Sequence, residues 1–123
     1  MQFDKYVGLP FTEYDCYGLV VHVYAEHGIT IPTFDIGTQE TKRTYLNFLK
    51  EISKNWERVE DLKVLDIIAM AYLPQHPDIV QHFGIYIGEG KILHTLNKTH
   101  AHIVKITDPT IEPTIKGIYR WIN

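Results

Sequence analysis

The 123-residue chain changes periodicity once, near residue 60, and that change restricts the folds open to it. Before it, apolar residues recur at helical spacing; after it, short runs of β formers alternate with Gly, Pro and Asp turns. Residues 4–14, with Gly8 and Pro10, read as a loop or a short helix turning into one. Asp15 can cap a helix that carries Leu19, Val20, Val23 and Tyr24 on one face and stops at Gly28. Ile29-Thr30-Ile31-Pro32 then leads to a loop near Asp35 and Gly37. A second helix is predicted from Gln39 to Ser53, burying Tyr45, Leu46, Phe48, Leu49 and Ile52 and leaving Lys42, Arg43 and Lys50 in solvent. Strands are predicted within 64–72, 80–87, 91–96, 101–106 and 116–121, with loops at 74–78 and between Pro109 and Pro113. Helices first and a meandering antiparallel sheet second argue an α+β fold with segregated layers. With no internal repeat or linker, the expectation is one domain over 1–123.

Charge and composition remove several function classes. A net charge of −3, a pI near 6.1 and the lack of a basic run give no electrostatic ground for nucleic acid or an anionic membrane as partner. No apolar stretch approaches the roughly 18–20 residues that span a bilayer. Met1-Gln2-Phe3-Asp4-Lys5 has no apolar core of a secretory leader, so delivery by another route is expected. Glu60, Asp61 and Asp66 precede strands and read as turn and surface groups, not as a carboxylate pair. Gly84 and Gly88 make no phosphate loop, because no helix follows them. His94, His100 and His102 suggest a metal cluster, but no carboxylate or cysteine lies close by, so no metal and no cofactor is expected.

Cys16 is the only cysteine, which excludes an internal disulfide. It stands at the start of the first helix, in Asp15-Cys16-Tyr17-Gly18-Leu19-Val20. The helix N-terminus offers about half a positive charge and free N–H groups, which bias a thiol toward thiolate and can hold an oxyanion. On that ground Cys16 is expected to be reactive below the usual thiol range. Gly18, one turn in, would keep the surface low enough for a substrate backbone. A lone cysteine is also commonly a small buried hydrophobe.

Two histidines lie downstream, in His82-Phe83-Gly84-Ile85-Tyr86-Ile87-Gly88 and Ile92-Leu93-His94. Along the first strand His82, Gly84 and Tyr86 share one face. If Gly88-Glu89-Gly90 is a three-residue hairpin loop, Ile87 faces Lys91 and His94 lies opposite Gly84. His94 then shares a face with His82, roughly 7–8 Å away by backbone, whereas a two- or four-residue loop would separate them. Gly84 would leave a hollow beside both rings. A cysteine and two paired histidines are the parts of a thiol nucleophile, its base and an orienting group.

Asp-Cys-aromatic-Gly-Leu-Val, then His-aromatic-Gly-Ile-Tyr-Ile-Gly, then a histidine 12 residues after the first, resembles the NlpC-type papain-like cysteine peptidases of bacteria and phages. Asp15-Cys16-Tyr17-Gly18, Gly28-Ile29-Thr30-Ile31-Pro32 and the closing Gly117-Ile118-Tyr119-Arg120-Trp121 resemble the branch found in phage tail proteins. The likeness runs from about Tyr6 to Trp121 and is weak over 33–63. It implies a papain-like α+β domain that cuts peptide bonds in peptidoglycan stem peptides, with Cys16 as nucleophile, His82 as base and His94 orienting His82. It also implies phage tail proteins as partners and action at the bacterial wall after synthesis in the host cytoplasm. Two alternatives keep the same residues: a structural tail-assembly protein with a vestigial or assembly-only site, and a bacterial amidase or transacylase. The chain departs from the family at Pro10-Phe11-Thr12-Glu13-Tyr14, which lacks the usual glycines. If the family's Tyr falls at Phe11 its hydroxyl is missing, and Tyr14 is the substitute. Phe11, Tyr14, Asp15, Tyr17 and Gly84 are thus the candidates for oxyanion or substrate contact. Val64-Leu65-Asp66 replaces the family's Pro-Gly-Asp before the middle strand.

Overall fold

The computed structural model describes residues 2–12, 14–33, 41–96 and 99–122. Among these there are two α-helices, α1 (Cys16–Glu26) and α2 (Thr41–Asn55), followed by six strands: β1 (Trp56–Val59), β2 (Ile67–Met70), β3 (His82–Gly88), β4 (Lys91–His94), β5 (His102–Lys105) and β6 (Ile115–Trp121). The strands form one sheet in the order β1-β6-β2-β3-β4-β5, with every pairing antiparallel. The expected α+β layering is therefore present. The sheet is not a pure meander, because β6 returns between β1 and β2.

The helix at 16–26 starts where Asp15 was expected to cap it. The Gly18 N–H donates to the Asp15 carboxylate at 2.7 Å, and Gly28 at φ 81° closes the far end. Leu19, Val20, Val23 and Tyr24 are all buried, against Phe83, Ile85, Ile87 and Leu93 of the sheet. The opposite face carries a smaller core around Ile68, Met70, Ile92 and Ile111.

The second helix buries a different face from the one predicted. Thr44, Phe48 and Glu51 are inside, whereas Leu46 is 56% and Leu49 39% exposed. Tyr45 and Ile52 are half-buried. Glu51 is tolerated inside because its carboxylate accepts the Trp56 indole N–H at 3.1 Å. The predicted start at Gln39 and the loop near Asp35 and Gly37 lie outside the described residues.

Strand bounds moved for local reasons. The run from Val64 becomes a strand only at Ile67, because Leu65 adopts φ 82° in a turn and cannot continue a ladder. Strand β1 was not foreseen: Trp56-Glu57-Arg58-Val59 has only two apolar residues and is recruited by pairing with β6. Residues 112–114, expected as loop, make one 3-10 turn with Pro113 at its start.

The hairpin joining β3 to β4 differs from the expected form while keeping its consequence. Gly88 pairs with Lys91, so the loop is the two residues Glu89 and Gly90, both at positive φ (55° and 72°). A two-residue loop alone would reverse the parity. A bulge between Tyr86 and Gly88 restores it, pairing Tyr86 with Ile92 and Ile85 with Leu93. The faces of β3 and β4 therefore match as the three-residue loop required.

Candidate active site

His82 opens β3 and His94 ends β4. The restored parity turns both to one face, where His82 Nε2 and His94 Nδ1 lie 2.8 Å apart with ring planes at 67°. Both are buried, at 6% and 1% exposure. His82 is also flanked by the Tyr72 ring at 5.5 Å and lies opposite Met70 in the β2–β3 ladder.

Gly84 makes this approach possible, though not by leaving a hollow. A Cβ there would sit 2.5 Å from Ile92 Cγ2 and 3.3 Å from His94 Cβ, so the space is already filled. Gly84 therefore lets β4 press its side chains toward β3 and is not a free surface for substrate.

Cys16 approaches the start of β3 from the helical side. Cys16 is 4% exposed, and the backbone N–H of Phe83 hydrogen-bonds to its sulfur, as do those of Tyr17 and Cys16. The thiol thus sits at the peptide that joins His82 to Phe83. The stretch before α1 is fixed to the turn between β4 and β5: the Phe11 N–H donates to Thr99 O at 3.1 Å, and the Ala101 N–H to Leu9 O at 2.8 Å. That stitching ties the mouth of α1 to the strand end that carries His94.

Electrostatics set the resting protonation. Burial pushes the Cys16 thiol up to about 12, with the Asp15 carboxylate adding to the rise, while the three backbone N–H groups pull the other way. Burial thus works against the low thiol range expected for the unliganded site, and it outweighs the pull of those N–H groups. Burial pushes His82 down to about 3, helped by His94 and His102. Burial likewise pushes His94 down to about 4, helped by His102 and opposed by Asp108. Thiol and imidazoles are all neutral near pH 7.

The other candidates divide. Asp15 is committed to capping through Gly18, and a Cβ at Gly18 would lie 2.9 Å from that carboxylate, which is the reason for glycine there. Tyr17 is 2% exposed and packs edge-on against Phe83 at 5.4 Å, inside the core and out of a substrate's reach. Tyr14 stacks on His22 at 4.4 Å, and Phe11 is half-buried beside the Thr99 turn. Tyr72 was missed as a neighbour of the pair, and His102 was grouped with His94 only as a possible metal ligand. Tyr72 read as one core aromatic among several, and the His102 ring lies 4.5 Å from His94 across the β4–β5 pairing of those two residues. Among the described residues, no group of three or more His, Cys, Asp and Glu is arranged to hold a metal ion. None of their helices is long and apolar enough to cross a membrane.

The sequence profile of the NlpC/P60 family matches residues 5–120. The chain belongs to the NlpC/P60 family. Solved structures agree with that assignment at the level of fold. An NlpC/P60 family protein from Bacillus cereus is 24% identical, with a TM-score of 0.66 over 96% of this chain and 37% of that one. NlpC2 from Trichomonas vaginalis is 20% identical, with a TM-score of 0.67 over 98% and 44%. The peptidoglycan hydrolase RipB from Mycobacterium tuberculosis is 21% identical, with a TM-score of 0.56 over 89% and 45%. Comparison with curated proteins found no match. This chain, an α+β papain-like NlpC/P60 domain, thus spans less than half the length of these solved relatives.

Proposed function

We propose that this NlpC/P60 domain is a cysteine peptidase that hydrolyses peptide bonds in peptidoglycan stem peptides. The observation that carries it is the buried 2.8 Å pairing of His82 Nε2 with His94 Nδ1, together with a thiol hydrogen-bonded by the N–H of the peptide that joins His82 to Phe83. With Nε2 engaged by His94, the free nitrogen of His82 is Nδ1, the one left to serve Cys16. Family membership and the likeness to a solved protein named as a peptidoglycan hydrolase support the substrate class.

The mechanism starts from neutral partners. As the Cys16 sulfur attacks the scissile carbonyl carbon, its proton passes to His82 Nδ1, and the carbonyl oxygen gains the negative charge. Backbone N–H groups at the start of α1 stabilise that oxyanion. His82 then gives its proton to the leaving amine as the C–N bond breaks, leaving a thioester on Cys16. Water, deprotonated by His82, attacks the thioester; the acid product leaves and the thiol is restored. His94 holds the imidazole in place while it carries charge. A net charge of −3 suits docking by shape and hydrogen bonds.

Association with a phage tail is the finer part of the proposal and rests on the sequence likeness at residues 15–18, 28–32 and 117–121. Carriage on a tail would raise local concentration at the wall. One observation favours the structural tail-assembly alternative: Cys16 is only 4% exposed, and burial raises its thiol pKa. Incubation with purified peptidoglycan separates the two. The expected outcome is release of new amines and carboxylates from stem peptides with no new reducing ends, lost in Cys16→Ala. No release from the walls of plausible hosts, by free protein and by intact tails, would transfer the case to the structural role.

A further inference from the structure

The His82–His94 pair leaves one polar atom without an account. His94 Nε2 is buried and has no hydrogen-bond partner among the described residues, on a side chain only 1% exposed. Its state follows from the bond on the other side of the ring. For His82 to take a proton from the thiol, its Nδ1 must be bare, so its Nε2–H donates to His94 Nδ1. His94 then carries its own proton on Nε2, as a buried donor that needs an acceptor. In the opposite tautomer His94 donates from Nδ1, His82 holds its proton on Nδ1, and the base is disabled. Burial of a bare Nε2 costs less than burial of an N–H, so the isolated pair is biased toward the disabled arrangement.

His102 is the candidate for the missing acceptor. It pairs with His94 across β4 and β5, with ring centroids 4.5 Å apart and planes at 51°. Its Nδ1 lies 3.1 Å from His100 O, and a carbonyl can only accept, so Nδ1 carries the proton and Nε2 presents a lone pair. We propose that His102 is a positioning residue that accepts from His94 Nε2–H, directly after a ring rotation or through one water, and so fixes the tautomer in which His82 is a base. The order of donors runs one way, His82 to His94 to His102, and the His100 carbonyl sets its outer end. This inference rests on the proposed role of His82, yet its principal test does not use activity.

Long-range 1H–15N spectra of the intact protein assign the protonated nitrogen of each ring. The parent is expected to show Nε2–H on His82 and His94 and Nδ1–H on His102. In His102→Leu the His94 proton is expected to move in part to Nδ1; in His102→Gln, whose side-chain oxygen accepts, it is expected to stay on Nε2. On a stem-peptide substrate, kcat of His102→Leu should fall about tenfold or more with KM within about twofold, and His102→Gln should recover most of it. Nδ1–H on His94 in the parent, or an unchanged His94 tautomer in folded His102→Leu, overturns the inference. If His102→Leu does not fold, the parent and His102→Gln spectra still decide it. A parent with no activity but the expected tautomers removes the peptidase proposal and leaves this one standing.

Discussion

His94 Cβ lies 3.3 Å from the point where a side chain on Gly84 would begin, and on the same face His94 Nδ1 reaches His82 Nε2 at 2.8 Å. A residue with no side chain is therefore what brings the two imidazoles together. Gly84→Ala is expected to destabilise the fold by about 1–3 kcal/mol, because its methyl would lie 2.5 Å from Ile92 Cγ2. Adding Ile92→Ala should recover part of that loss. Urea unfolding of the parent, both single variants and the double variant measures the coupling, and additive losses would show that Ile92 is not the obstacle.

The proposed role of His94 as an orienting group predicts a graded series. His94→Asn keeps a polar group that can hold an imidazole and should retain activity within about tenfold of the parent, whereas His94→Leu should lose about a hundredfold or more in kcat. Equal losses in the two variants, with folding intact, would remove the orienting role.

Acid should destabilise the fold through these same histidines. Both are held below their ordinary value of 6.5 in the folded chain, His82 at about 3 and His94 at about 4. Between those values and 6.5 the unfolded chain binds more protons, so stability rises with pH and is lost as pH falls below about 6.5. From pH 6.5 to 5 each histidine should cost up to about 2 kcal/mol. Replacing His94 by Asn should flatten the dependence of urea unfolding on pH in that window. A slope unchanged from the parent would mean that His94 is not buried neutral.

Thiol labelling gives the complementary test at high pH. With Cys16 pushed up to about 12, alkylation in the folded, unliganded protein should be slower than for a free thiol at pH 7 and should climb only above the ordinary thiol range near 8.5. Denaturant should bring the rate to that of a free thiol. Rapid labelling of folded protein at pH 6 would indicate a preformed thiolate and contradict the neutral resting pair.

The α+β class, the α1 start at Asp15 and the common face of His82 and His94 were legible because each depends on local signals: a cap, an alternation, a glycine turn. The turn type was misjudged, since Ile87 as a bulge cannot be told from Ile87 as a paired residue by its apolar character alone. The buried side of α2 was misjudged for a related reason. Glu51 reads as solvent-facing until Trp56, five residues on, supplies its donor, and Leu46 and Leu49 read as core although they face outward. At the site, residue types pointed to Cys16, His82 and His94, the residues proposed as nucleophile, base and orienting group. The elevation of the thiol was not legible, because a helix terminus is visible in sequence and the burial that outweighs it is not. His102 was legible only as a metal candidate with His94, because its ring contact with His94 depends on the β4–β5 register.

The central claim is that Cys16, served by His82, forms a thioester with a stem-peptide acyl group. Rapid acid quenching of the protein with a purified stem peptide, followed by mass measurement of its fragments, tests it most directly. The account predicts one added acyl group on the fragment that contains Cys16, removed by neutral hydroxylamine, with no adduct and no cleavage in Cys16→Ala. Cleavage by folded Cys16→Ala at the parent's rate would contradict it.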